Sequence, residues 1–168
     1  MPRFPHSFHA VTLMTVATSF IVFRGAPAAP PPGSEDLVGT WRLVSYEDWD
    51  ATGKVSRPYG EHPRGYIVFD STGHVSVNLM KMPALPPLES KDDNIVTPAE
   101  KEAAFDAYGA YFGTYSVDRL HGTFVTHVEG SLNPMYTNTD QPRPFVLKGD
   151  TLIIGDQKTW KRVLERVH

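Results

Sequence analysis

Apolar and polar side chains alternate with a period of two along much of the chain, which is the pattern of strands that are buried on one face. The segment 74–80 is the clearest example, because its aliphatic residues Val75, Val77 and Leu79 stand between polar neighbours. Similar segments, bounded by turn residues such as Gly, Asp and Asn, recur through the chain. We therefore predict eight strands, at residues 37–47, 64–70, 74–80, 111–117, 123–131, 143–148, 151–154 and 159–167.

One segment has the features of a helix instead. Thr97-Pro98-Ala99-Glu100 combines an N-cap Thr, a Pro at the first helical position and a Glu whose carboxylate can reach back to the cap. We predict a helix that runs to about Tyr108 and is ended by Gly109, between the third and fourth strands. Its small side chains would lie close on a sheet and cover one end of the fold; they are Ala99, Ala103 and Ala107.

Eight antiparallel strands can close into a barrel, which removes exposed edges and leaves room for side chains or one small ligand. We predict an all-β fold at residues 37–168, an eight-stranded antiparallel up-and-down barrel with the helix inserted between strands 3 and 4. The first strand carries Gly39 and Trp41. Glycine permits a close approach of another group and Trp41 supplies a large apolar body, so this pair is expected to plug one end of the barrel.

The first part of the chain has the features of a secretory signal. Residues 1–28 combine Arg3, an apolar run of 14 residues from Ala10 to Phe23, and a small-residue cleavage motif at 26–28. That run is shorter than the roughly 20 residues that span a bilayer. We expect a Pro-rich, disordered tether at 29–36, export to the periplasm or the medium, and no stable membrane insertion after cleavage. An uncleaved anchor is the alternative.

Composition narrows the possible partners. Removing residues 1–28 takes away two arginines and no acidic residue, which leaves 14 basic against 19 acidic side chains and a formal charge of −5. This balance gives no basic surface for nucleic acid or anionic lipid. The chain has no cysteine, which excludes disulfides, thiolate nucleophiles and cysteine metal sites. The oligomeric state does not follow from the sequence.

Candidate chemistry centres on the fifth predicted strand. His127 and Glu129 are two residues apart and share one face of that strand. With Arg143 on the next strand, and with Tyr66 and Tyr115, they could form a polar cluster inside the barrel that contacts a ligand. A histidine beside a carboxylate titrates near neutral pH, so His127, Glu129 and Arg143 are also the candidates for catalysis.

The parity of the same strand supports a different arrangement. If Phe124, Thr126 and Val128 face inward, then His127 and Glu129 lie on the solvated outer face. Parity alone favours this alternative.

Arg143 stands between two prolines, Pro142 and Pro144, so its backbone is stiff and lacks donors on both sides. Its guanidinium could bind a ligand carboxylate or Glu129, or lie exposed at a strand end. Five aromatic residues could line a pocket, although ordinary core positions are the simpler interpretation; they are Tyr66, Tyr111, Phe112, Tyr115 and Phe145.

An ordered set of motifs runs through these segments. It comprises Leu37–Ser45 with its Gly39-Thr40-Trp41, Pro58-Tyr59-Gly60 with Gly65-Tyr66, Tyr111–Tyr115, His127–Ser131 and Asp140–Phe145. With Arg162 and Arg166 on the last strand, the set resembles the lipocalin-like domain family, small barrels of calycin type, over roughly residues 37–167.

The resemblance implies a barrel that binds small, largely apolar molecules at its mouth. It also implies that an arginine of the last strand packs over Trp41 by a cation–π contact, which makes Gly39, Trp41, Arg162 and Arg166 the candidates for the barrel floor. Period two places Arg162 and Arg166 on one face and does not choose between them. The resemblance favours an inward position for His127 and Glu129.

The resulting hypothesis is an exported protein that binds a small apolar or amphipathic molecule, and the sequence leaves open whether it also catalyses a reaction. One alternative is a cofactor-independent isomerase or cyclase with His127 or Glu129 as base and Arg143 stabilising negative charge. The other is a ligand-free structural barrel filled by its own side chains. No metal or cofactor is expected, because the histidines are scattered and nucleotide-binding motifs are missing from the sequence.

Overall fold

The computed structural model describes residues 33–168. The expected signal segment and the first part of the expected tether, residues 29–32, lie outside these residues. The elements in chain order are β1 (Gly39–Trp49), β2 (Val55–Ser56), β3 (Arg64–Phe69), β4 (His74–Met80), α1 (Pro98–Ala107), β5 (Tyr108–Asp118), β6 (Thr123–Ser131), β7 (Asp140–Lys148), β8 (Thr151–Ile154) and β9 (Trp160–Arg166).

The strands form a closed antiparallel barrel. From β3 onwards each strand pairs with the next, β1 pairs with β3, and β1 also pairs with β9 from Trp41↔Arg166 to Asp48↔Trp160. These eight long strands confirm the predicted all-β barrel. The two-residue strand β2 pairs only with the end of β1 and lies outside the closed ring.

The helix lies one strand later in the numbering than predicted. α1 lies between β4 and β5 and not between strands 3 and 4, because β2 precedes it. Two residues are too few to produce an alternating pattern, so the sequence gives no signal for β2. The segments on either side of the helix are the ones expected.

The helix begins as its sequence indicates and ends earlier. The Glu100 N–H donates to Thr97 Oγ1 and the Thr97 N–H donates to Glu100 Oε2, so the capping box is formed. Tyr108 is already extended and begins β5, so Gly109 does not end the helix. Ala107 is buried and Ala99 is exposed. The helix therefore contacts the barrel through its last turn and not along a continuous alanine face.

The two ends of the barrel differ in the length of their connections. At the end where β1 begins, β3–β4, β5–β6 and β7–β8 are joined by tight turns of two to four residues at 70–73, 119–122 and 149–150. At the opposite end, the connections are 50–63, 81–107 with α1, 132–139 and 155–159. We call the first end the floor and the second the mouth.

The floor is closed by Trp41 and Arg166. The Trp41 ring is fully buried, and its Nε1–H donates to the Leu37 carbonyl at 2.8 Å. The Arg166 guanidinium carbon lies 4.2 Å from the centre of that ring, and the guanidinium donates to the carbonyls of Val38 and Asp36. A Cβ at position 39 would lie 2.7 Å from Arg166 Nη1, and Gly39 has φ +138°, so only glycine fits there.

The last residues of the expected tether are folded against this floor. The Ser34 carbonyl accepts from the N–H groups of Leu37 and Val38, and the Ser34 side chain is fully buried. Arg119 donates to the Gly33 carbonyl at 2.6 Å and to Asp36 at 2.7 Å. Arg119 and Arg166 of the barrel thus donate to the carbonyls of Gly33 and Asp36, and these contacts hold the last residues of the expected tether against the floor.

Replacing Arg166 by glutamine should lower the free energy of unfolding by about 2–3 kcal/mol, since it removes two charge-assisted hydrogen bonds and a cation–π contact. Urea unfolding followed by tryptophan fluorescence measures the loss. Arg42→Gln is the matched control, because Arg42 pairs with Glu165 across the same two strands but its side chain is 56% exposed. Its effect should stay within about 0.5 kcal/mol. Equal losses in the two variants would contradict a special role for Arg166.

Candidate functional site

A cavity of about 800 Å³ occupies the mouth half of the barrel. Strands contribute most of its wall, and α1 and the mouth connections form its rim. Its lining is Tyr46, Tyr59, Ile67, Val77, Leu79, Phe105, Asp106, Tyr108, Gly109, Ala110, Tyr111, Phe124, Ser131, Leu132, Asn133, Tyr136, Pro142, Arg143, Pro144, Ile154, Asp156, Trp160 and Arg162.

The bottom of the cavity is apolar. Ile67, Val77 and Ile154 are inward residues of β3, β4 and β8, and all three are buried. Phe124 completes the bottom and packs edge-on against Phe69, with ring centres 5.2 Å apart. These side chains separate the cavity from the floor, because Phe69 belongs to the buried cluster around Trp41.

Arg162 lies on one wall of the cavity and is neutralised within the protein. Its guanidinium carbon is 3.2 Å from the centre of the Tyr46 ring. Its Nη1 donates to the Glu47 carbonyl at 2.6 Å and pairs with Asp48 Oδ1 at 2.8 Å. The side chain is 14% exposed. Arg162 therefore ties β9 to the end of β1, where its charge has a carboxylate partner.

Arg143 lies near Arg162 but has neutral partners. Its guanidinium donates to Gln141 Oε1 at 3.0 Å and to its neighbour's carbonyl at Pro142, and its carbon lies 5.6 Å from the Trp160 ring centre. The flanking prolines are compatible with β7 because its ladder with β8 begins only at Phe145. Across residues 33–168, no carboxylate lies within 4.0 Å of the Arg143 nitrogens.

Four tyrosines surround the two arginines. The rings of Tyr46 and Tyr59 are 4.7 Å apart, and those of Tyr111 and Tyr136 are 6.1 Å apart. Burial raises the pKa of the Tyr46, Tyr59 and Tyr111 hydroxyls, although Arg162 opposes the rise at Tyr46 and Tyr59 and Arg143 opposes it at Tyr111. These three hydroxyls are therefore protonated at neutral pH and can donate hydrogen bonds to a bound molecule.

The structure places His127 and Glu129 on the outer face, outside the cavity. Phe124, Thr126 and Val128 are the inward, buried residues of β6, so the parity of the strand decides the arrangement. His127 Nδ1 lies 2.6 Å from Asp140 Oδ1 on the surface of β7. The expected polar cluster of these residues inside the barrel is therefore not formed.

The other expected site residues are divided between the two faces and the two ends. Tyr66 is 49% exposed on the outer face of β3. Tyr115 is buried towards the floor, where its hydroxyl donates to the Asp70 carbonyl at 3.1 Å, and it does not line the cavity. Arg143 does line it. Arg162, a candidate for the floor, lies instead at the mouth, and Arg166 alone covers Trp41.

Sequence reasoning missed Tyr46, Tyr136 and Trp160 as cavity residues. One sequence feature could have separated the roles of the two arginines on the last strand. Arg166 lies opposite Trp41, and Arg162 stands four residues before Arg166. Four residues of a strand span roughly 13 Å, so both arginines cannot cover one tryptophan. Tyr136 belongs to the long connection between β6 and β7, whose path no periodicity predicts.

Two further features concern the described part of the chain. Residues 33–168 contain no group of three or more His, Cys, Asp or Glu side chains placed to hold a metal ion. Among the helices in this range, none is long and apolar enough to cross a membrane.

The geometry agrees with a comparison against protein families. The model of a lipocalin-like domain matches residues 38–166, which is most of the chain and includes every strand of the barrel. A search of curated proteins found no match. The family match and the closed eight-stranded barrel confirm the expected relationship, and the chain belongs to the lipocalin-like domain family.

Proposed function

We propose that this protein binds a small amphipathic molecule in the cavity at the barrel mouth. The observation that carries the proposal is the cavity itself, about 800 Å³ in volume, with an apolar bottom and polar groups concentrated on one wall. Small-molecule sites in proteins have volumes of roughly 300–1,000 Å³ and combine an apolar lining with a few placed polar groups.

The cavity argues against a barrel filled by its own side chains. Protein interiors are close-packed and leave few voids larger than a water molecule, which occupies roughly 30 Å³ in the liquid. The cavity is far larger than such a void and opens at the mouth. The aromatic side chains at its upper wall pack against one another and the arginines, so they leave the centre free.

The isomerase or cyclase alternative loses the residues on which it depended. His127 and Glu129, its two candidate bases, lie on the outer face of β6. Of the carboxylates at the cavity rim, Asp106 belongs to the exposed side of α1, and Asp156 accepts backbone hydrogen bonds from its own turn. No feature of the cavity favours proton abstraction over binding, so binding is the function proposed.

N-phenyl-1-naphthylamine, a neutral probe that fluoresces in apolar surroundings, should bind the protein with a rise in emission. The site can be located with single cysteines, because the chain has none of its own. Leu79→Cys places a thiol in the cavity and Asn78→Cys places one on the outer face of the same strand. Saturating probe should slow methanethiosulfonate labelling of Leu79→Cys by about tenfold or more, since only unoccupied protein reacts.

The same probe should leave the labelling rate of the Asn78→Cys variant unchanged. The proposal is overturned if the wild-type protein does not bind the probe, or if the probe fails to protect the cavity thiol. Protection of both thiols to the same extent would indicate binding to the surface and would also contradict it.

We also propose that the protein acts after export, which is supported by the signal-like sequence of residues 1–28. After expression in a bacterial host, the exported fraction should have an intact mass below the 18.7 kDa of the whole chain by the mass of about this segment. Val16→Arg, which interrupts the apolar run, should retain the protein in the cytoplasm. An exported fraction that keeps its full mass would contradict cleavage, and export of the Val16→Arg variant would contradict the signal.

A further inference from the structure

We infer that the ligand of this cavity carries a carboxylate group and that the guanidinium of Arg143 binds it. The inference rests on the proposed function, because it names the chemical class of the molecule that the cavity accepts. It depends on the difference between the two arginines of the cavity wall.

Arg162 already has partners for both its charge and its N–H donors. It pairs with Asp48 at 2.8 Å, donates to the Glu47 carbonyl and stacks on Tyr46. A ligand anion at Arg162 would have to compete with a carboxylate that is already in place. This residue is therefore part of the wall and not the anion contact.

In the part of the chain that the structure describes, Arg143 instead contacts only neutral acceptors and has unused N–H donors. A guanidinium carries five N–H donors, and the hydrogen bonds of Arg143 to the protein are those to Gln141 and Pro142, both neutral acceptors. The hydroxyl oxygen of Tyr111 can accept from one of the remaining N–H groups, so at least two donors remain for a bound molecule. A half-buried cation without a counter-charge has lost part of its hydration, and an anionic ligand would compensate for that loss.

The two aromatic residues beside Arg143, Tyr111 and Trp160, add a donor and no negative charge. The Tyr111 hydroxyl lies beside the guanidinium and keeps its proton at neutral pH, because burial outweighs the effect of Arg143 on its pKa. It is therefore a second donor for the same anion and not a tyrosinate that would neutralise Arg143. The Trp160 ring covers part of the guanidinium and limits its contact with water.

The carboxylates on the neighbouring elements have other partners or lie on the other face of the sheet. Asp156 accepts hydrogen bonds from the N–H groups of Lys158, Thr159 and Trp160. Asp48 forms its ion pair with Arg162. Glu129, the partner that the sequence offered for Arg143, lies on the other side of the β6 strand. Among residues 33–168 no carboxylate lies within 4.0 Å of the Arg143 nitrogens, so an anion from outside the chain can take that place.

These contacts define the shape of the ligand. The apolar bottom at Ile67, Val77 and Ile154 accepts a hydrocarbon body, and the carboxylate lies above it at Arg143 and Tyr111. A carboxylate matches the planar fork of the guanidinium by two parallel hydrogen bonds, which a hydroxyl group does not. The cavity should therefore prefer an acid over the alcohol of the same skeleton.

The test measures that preference directly. Dodecanoate and 1-dodecanol compete separately with N-phenyl-1-naphthylamine at neutral pH, where the acid is ionised. We expect dodecanoate to bind about tenfold more tightly or better than dodecanol, as charge-assisted hydrogen bonds predict. Arg143→Gln should abolish the preference, which is measured within each variant as the ratio of the affinities of the two competitors, and Arg143→Lys should retain part of it.

Arg42→Gln is the matched control, because it removes the same charge from the outer face. It should leave the preference intact, and near-UV circular dichroism checks the fold of each variant. If the probe binds but the acid and the alcohol compete equally in the wild type, the carboxylate inference is wrong and the proposed function stands. A preference that survives in Arg143→Gln overturns the role of Arg143. Failure of the wild-type protein to bind the probe overturns the proposed function itself.

Discussion

The pairing of β1 with β9 is the constraint on which the rest of the molecule depends. It joins the first and last long strands over most of their length and turns an open sheet into a ring without edges. Trp41 lies on β1 at one end of this seam, and Arg166 on β9 covers it. Without this pairing, the floor would lack its cover and the cavity would lack a wall.

The same strand serves both ends of the barrel because of its period. Trp160, Arg162, Leu164 and Arg166 share the inward face of β9. Arg166 closes the floor, Leu164 fills the core, and Arg162 lies in the cavity. Two arginines of one strand face thus have different roles, which their height in the barrel and their partners decide. Arg143 on β7 differs from both, since it has no carboxylate partner in the part of the chain described.

The sequence predicted the ring of strands well and the site poorly. Alternation and turn residues located the long strands, because each has a buried and a solvated face, and the capping box located α1. The face of β6 followed from Phe124, Thr126 and Val128, whereas the pattern of motifs pointed to His127 and Glu129. The partners of Arg143 and Arg162 depend on which strands meet across the barrel, and the path of the connection that carries Tyr136 has no periodic signal.

The tyrosines of the cavity come from two kinds of element. Tyr46 and Tyr111 belong to β1 and β5, whereas Tyr59 and Tyr136 belong to connections at the mouth. Strands held by ladders on both sides open rarely, and connections open often. For the ligand proposed above, the strand tyrosines would then contribute mainly to how tightly it is held, and the two loop tyrosines to how quickly it enters and leaves. Under the proposed function, residence time and affinity would thereby be separable, because a change in a mouth connection can speed entry and exit equally.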